Sequence, residues 1–193
     1  MTQHKIAQIL NGRVPKKLSE GDFKLAAVLV PIQERPDGDH LLLTLRAAGL
    51  NSHGGQVAFP GGRVDPEDEG PMGTALRESW EEIGLEPERV QILGQLDQTT
   101  AAGHYLITPV VGLIPFPYDF RLNQAETAEV FTVPIAALLD PGRARLEERA
   151  FPSQRNEPIY HFQYERWNIW GATARIIKQF LDLTYDPLSR SSR

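Results

Sequence analysis

The chain has no cysteine, two methionines among 193 residues, no long apolar run and no surplus of positive charge. The first absence excludes disulfides, zinc–thiolate sites and a cysteine nucleophile. No stretch approaches about 20 apolar residues, so no membrane-spanning helix is expected. Residues 1–17 lack the apolar core of a signal peptide, and a cytoplasmic location is the expectation. With 20 Lys and Arg against 25 Asp and Glu, the formal net charge is −5. That balance lacks the basic footprint of a nucleic-acid binder, so neither nucleic acid nor membrane is expected as a partner. A small anionic ligand stays compatible with it, because a bound metal ion supplies positive charge locally.

What is present suits one globular α/β domain over residues 1–193, with 41% apolar and 23% charged residues. The spacing of Ile6, Ile9 and Leu10 predicts a helix over about 3–12. The apolar run 24–32 reads as a buried strand, joined to a second strand at 40–45 through the turn Pro36-Asp37-Gly38-Asp39. Residues 47–63 are rich in glycine and end in Phe59-Pro60-Gly61-Gly62. A helix is predicted at 71–83, strands at 90–96 and 106–114, and a short helix within 133–139. A strand at 159–164 and a helix at 169–183 follow, with a disordered tail at about 187–193. Strands mixed with helices in this way favour a sheet flanked by helices.

The segment 71–85, PMGTALRESWEEIGL, carries the most information. At about 100° per residue, Met72, Leu76, Trp80 and Ile83 fall on one side of a helix. Glu78, Glu81 and Glu82 fall together on the other, at i, i+3 and i+4. Three carboxylates then crowd the negative end of the helix dipole, where Lys or Arg is preferred. Only Arg77, four residues before Glu81, offsets them locally. A divalent cation removes the conflict, and magnesium takes oxygen ligands while drawing others from water and substrate phosphates. His53-Gly54-Gly55 lacks the lysine and Ser/Thr of a P-loop, which excludes an NTPase of that class.

The run from Arg77 to Leu85, with Gly62 upstream, resembles the Nudix box, R-E-U-x-E-E-x-G-U, where U is aliphatic. Ser79 stands at an aliphatic position, and the loop from Gly62 to Arg77 is one residue longer than usual. Either Asp68 or Glu69 can therefore fill the upstream acid position. A second pattern, Leu42-Leu43-Thr44-Leu45-Arg46-Ala47 followed by Gly55 and Phe59-Pro60-Gly61-Gly62, resembles the coenzyme A pyrophosphatase branch of that family. Asn51 stands where that branch has arginine. Residues 128–134 and 170–175 extend the likeness.

The resemblance implies a Nudix fold, an α/β/α sandwich around a mixed sheet. It implies a Mg2+- or Mn2+-dependent enzyme that hydrolyses the pyrophosphate bond of coenzyme A or its derivatives. ADP-ribose or NADH is the alternative substrate, and a non-catalytic binding module the alternative role. By the same resemblance Glu78, Glu82 and Glu81 are expected to hold metal, with the Gly61 carbonyl. Arg77 is expected to hold a glutamate in position. Glu129, Glu126 and Glu78 are the choices for general base. Arg46 and Arg63 are expected to meet substrate phosphate, with Gly61 and Gly62 approaching closely. His53 and His104 sit in glycine-containing loops where substrate contact is one possible role. Trp167, Trp170, Phe162 and Phe180 are expected in the core rather than against a nucleotide.

Overall fold

A computed structural model describes residues 3–49, 54–102, 104–147 and 159–185. The elements run α1 (Gln3–Asn11), β1 (Lys24–Arg35), β2 (Gly38–Arg46), β3 (Val57–Ala58), β4 (Gly61–Arg63) and α2 (Gly70–Ile83). They continue with β5 (Gln91–Gln95), β6 (Thr99–Ala101), β7 (Tyr105–Ile114), β8 (Thr127–Pro134) and α3 (Ile135–Leu138). The last are β9 (Ala144–Glu147), β10 (Ile159–Tyr164), β11 (Trp167–Trp170) and α4 (Gly171–Thr184).

The apolar run of β1 becomes the central strand because both of its faces are covered. One edge pairs in parallel with β7 from Lys24 to Gln33. The other edge is shared: Ala26, Ala27 and Val28 pair antiparallel with β4, and residues 32–35 pair with β2. Strand β2 carries β3 and β8 as further partners, while β5 and β6 pair with β7, giving a mixed eight-stranded sheet. Side chains alternate across it. Ala27, Leu29, Leu42, Val110 and Ile114 meet Ala75 and Ile83 of α2 on one face. Val30, Ile32, Leu41, Leu43 and Val111 meet Ile6 and Leu10 of α1, and Ile176, Ile177 and Phe180 of α4, on the other. The result is an α/β/α sandwich. A smaller antiparallel sheet, β9-β10-β11, adds Phe162 and Ile169 to the second cluster. No helix among the described residues is long and apolar enough to cross a membrane.

Helix α2 reverses part of the expected wheel. Met72 and Trp80 are 44% and 48% exposed, whereas Thr74, Ala75, Ser79, Glu82 and Ile83 are buried. Small side chains face the sheet, so the helix approaches it closely. The Ser79 hydroxyl donates to the Ala75 carbonyl at 2.7 Å, and Thr74 Oγ1 donates to Asp68 at 2.7 Å. Satisfied in this way, the two hydroxyls carry little burial penalty.

Other boundaries also differ. Residues 133–134 close strand β8, which the irregular apolar spacing of 127–134 conceals, and only 135–138 are helical. Residues 169–170 belong to β11, paired with β10, and α4 begins at Gly171 with φ +67°. Asn51, His53 and the tail beyond 185 lie outside the described residues.

Helix α2 ends at Gly84 in the left-handed region, φ 67°, with its N–H on the Trp80 carbonyl at 2.9 Å and the Leu85 N–H on Ser79 at 3.3 Å. The Gly84–Trp80 bond is the αL form of a glycine helix stop. A Cβ here would lie 2.9 Å from the Arg121 Cβ. Gly84→Ala is therefore expected to destabilise the protein by about 1–3 kcal/mol, read from the midpoint of urea unfolding. A midpoint equal to wild type would show that the stop carries no strain.

Candidate functional site

The site is built around Arg77 on the side of α2 that turns toward β4. Its Nε and Nη2 donate to the two oxygens of Asp68 at 2.8 and 3.0 Å. Its Nη1 reaches Glu78 at 3.0 Å and Glu81 at 3.1 Å, and Nη2 also reaches the Arg63 carbonyl at 3.0 Å. Asp68 accepts two further bonds, from Thr74 Oγ1 and the Asp65 N–H at 2.9 Å. The guanidinium beside Asp68, ahead of these lesser bonds, holds its carboxyl well below the usual carboxylate range. Asp68 in turn raises Arg77. Of the two upstream acids the sequence leaves open, Asp68 is the one that meets Arg77, and Glu69 is exposed.

Glu82 sits one turn further along α2 and points inward. It is 3% exposed, takes the Gly61 N–H at 3.2 Å, and lies 3.7 Å from Arg46 Nη1. Burial pushes its carboxyl up to about 7, although Gly61 and Arg46 pull the other way, and Glu78 and Glu126 add repulsion. Burial also raises Glu78, against the pull of Arg77. Glu81 is exposed on the outer side of Arg77.

The glycine turn is shaped by contact. At Gly61, φ +153°, a Cβ would lie 2.4 Å from the Ala27 carbonyl, and at Gly62 a Cβ would lie 2.3 Å from the Glu78 carboxyl carbon. The Glu78 carboxylate thus rests directly over the Gly62 backbone.

A cleft of about 460 Å³ opens beside this turn. Arg46, Arg63, Glu82, Gly61 and Gly62 line it, together with Tyr105, Trp170, Thr173 and Arg175 among others. Arg46 Nε is buried there and makes no hydrogen bond among the described residues. The 121–127 loop closes the α2 end: the Arg121 and Asn123 N–H groups cap the Ile83 and Glu82 carbonyls, each at 3.0 Å. The same loop holds Glu126 through Asn123 Nδ2 at 3.3 Å.

Glu129 lies on β8 and is gripped by Arg166 Nη2 through both carboxylate oxygens, at 2.7 and 2.6 Å. His104 packs near Phe23, with ring centroids 6.2 Å apart. Trp170 departs from the expected core position: it is 44% exposed and lines the cleft. Sequence reasoning also passed over Thr74, Asp65, Tyr105, Thr173 and Arg175. The 170–175 segment was visible as a pattern, but nothing local showed that the cleft receives its first turn.

The donors gathered here are oxygens, the set that suits Mg2+ or Mn2+. Among the described residues no three Asp, Glu or His side chains form a closed cage. Two inward carboxylates, both made unfavourable as anions by burial, suit a cation that takes its other ligands from backbone, water and phosphate. Carboxylates, a glycine turn and arginines meeting in one cleft define equipment for metal-assisted hydrolysis of phosphate anhydrides.

Comparison with known proteins agrees. Residues 23–153 match the NUDIX domain family. The uncharacterized Nudix hydrolase NudL of Photorhabdus laumondii is 44% identical over 165 residues, covering 86% of this chain and 87% of that protein. NudL of Escherichia coli K12 is 41% identical over 160 residues, covering 82% and 81%. Among solved structures, the Nudix hydrolase RenU of M. smegmatis aligns with TM-score 0.51 and 27% identity over 61% of this chain and 74% of that one. A C. elegans Ap4A hydrolase aligns at TM-score 0.50 and 21% identity, over 57% and 80%, a likeness of fold. The chain belongs to the Nudix domain family. It is a Nudix hydrolase, a diphosphatase of nucleoside diphosphate derivatives, and such enzymes generally use divalent cations.

The raised Glu82 carboxyl sets a pH dependence. Between the ordinary value of 4.5 and about 7, the folded state binds more protons than the unfolded state. Stability of the metal-free protein therefore falls as pH rises through that window, by on the order of 3 kcal/mol. Asp68 acts below it. Thermal unfolding in EDTA should show this decline, and Glu82→Gln should flatten it. An unchanged slope in that variant would contradict the assignment.

Proposed function

We propose that this enzyme hydrolyses the pyrophosphate bond of coenzyme A or its acyl derivatives, using Mg2+ or Mn2+. Water adds to one phosphorus and the bridging oxygen leaves with the other, giving 3',5'-ADP and 4'-phosphopantetheine or acyl-phosphopantetheine. The observation that carries this reading is the cleft that Glu82, Arg46 and the Gly61-Gly62 turn line together with largely apolar neighbours. The 42–62 resemblance to the coenzyme A pyrophosphatase branch favours that substrate over ADP-ribose or NADH, which the acidic helix would serve equally.

Glu82 and Glu78 are assigned as metal ligands, with Glu81 and the Gly61 carbonyl completing the set available from the chain. When bound, the cation neutralises charge that builds on the bridging oxygen and lowers the pKa of its water. Arg77 touches no substrate in this scheme. It fixes Glu78 and Glu81 through Asp68, so that carboxylates which repel one another hold their places. Arg46, with a buried donor that has no hydrogen-bond partner among the described residues, faces the diphosphate, and the more exposed Arg63 is left for the 3'-phosphate. For the base that accepts the water's proton, Glu126 is favoured over Glu129. Glu126 lies close enough to raise both Glu78 and Glu82, whereas Glu129 is occupied by Arg166.

All three acids of the box are present, which favours turnover over a binding-only module. Incubation with coenzyme A and Mg2+, followed by mass analysis of both products, should show the two expected fragments. Oxygen-18 water identifies the phosphorus attacked. Glu82→Gln and Glu78→Gln should each lower kcat by about 100-fold or more. Undiminished turnover in Glu82→Gln would remove the metal assignment, and faster cleavage of ADP-ribose would move the substrate to the alternative.

A further inference from the structure

The part of the cleft wall where β11 meets α4 has its own construction. Trp170 closes β11 and immediately precedes α4, and nearly half of its surface is open although the residue lies in a cleft wall. Trp80 is as exposed as Trp170, but of the two only Trp170 lines the cleft. Its indole is also set in a fixed plane. The His161 ring lies behind it, 12° from parallel with centroids 6.4 Å apart. That histidine's Nδ1 is 3.3 Å from Asn168 Oδ1, and its Nε2 lies 3.1 Å from Glu147 Oε2 without making a hydrogen bond among the described residues. The two residues are also backbone partners across β10 and β11. Ala101, Ala102, Gly171 and Ala172 line the same cleft with small side chains.

We propose that Trp170 is a stacking platform for the purine base of the substrate, with the diphosphate extending from it toward Glu82. A flat group gains from a plane held in advance, because base–aromatic stacking depends on facing area and both rings are rigid. A flexible acyl or pantetheine chain gains little from such a plane, and its natural match is a rounded apolar wall. The purine therefore stacks beside the start of α4, and the non-nucleotide half of the substrate lies on the far side of the diphosphate. This deepens the reading of the same cleft as a nucleoside diphosphate hydrolase and rests on it, but not on coenzyme A in particular.

Two measurements test the assignment. The first is intrinsic fluorescence with ADP alone as probe. ADP should quench emission saturably in the wild type, ribose 5-phosphate should not, and the quench should vanish in Trp170→Phe, where Trp80 and Trp167 remain. The second is steady-state kinetics on whichever base-bearing diphosphate the enzyme cleaves. Trp170→Ala should raise KM about tenfold with kcat within twofold, and Trp170→Phe should recover most of the loss. Circular dichroism and the thermal midpoint confirm that each variant is folded. If the alanine variant does not fold, the phenylalanine variant and the ADP quench still decide. Quenching by octanoyl-pantetheine but not by ADP would overturn the proposal, as would an unchanged KM in a folded Trp170→Ala. Failure to cleave coenzyme A while ADP still quenches would defeat the substrate reading and leave this one intact.

Discussion

The bond network between Arg77 and Asp68 is the constraint on which the site depends. Glu78, Glu81 and Glu82 occupy the end of α2 where the helix dipole is negative, so each disfavours the others and the dipole disfavours all three. One guanidinium, itself fixed on the nearly buried Asp68, offers Nη1 to both Glu78 and Glu81 and so keeps the side chains in register. Asp68 is held by Thr74 from the helix and by the Asp65 backbone from the loop. The clamp therefore ties the loop after β4 to the helix, and with it the glycine turn to the carboxylates.

Close packing turns that clamp into a site. Ala75 and Ser79 let α2 lie near β1, and the two glycines of the Gly61-Gly62 turn bring backbone against carboxylate with no room for a Cβ. Glu82 then enters the protein with, among the described residues, a backbone N–H and a more distant arginine to answer its charge. The cost shows in a carboxyl pushed up to about 7. Such a group, beside an arginine whose buried Nε has no hydrogen-bond partner among the described residues, is the kind of charge arrangement found at ligand sites.

Much of this was legible in the sequence. The buried β1, the hairpin to β2, the acidic helix and its glycine stop follow from periodicity and turn chemistry acting over a few residues. The face of α2 was misread in part because a wheel ranks residues by hydrophobicity. Here proximity to the sheet mattered more, and Ser79 and Thr74 could satisfy their own hydroxyls and go inside. The strands at 127–134 and 167–170 were missed because their pairing partners, β2 and β10, supply the order that local pattern lacks. The same holds for the site. Asp68 could not be separated from Glu69 by spacing, and the places of Trp170 and Arg175 in the cleft come from long-range packing that no local motif states.

The account turns on whether Glu82 and Glu78 together hold a divalent ion. Anomalous diffraction from a crystal soaked in Mn2+ with a non-hydrolysable diphosphate is the direct measurement. A peak in contact with both carboxylates is the predicted result. An empty position between them with the diphosphate bound, or a peak elsewhere on the molecule, would contradict it.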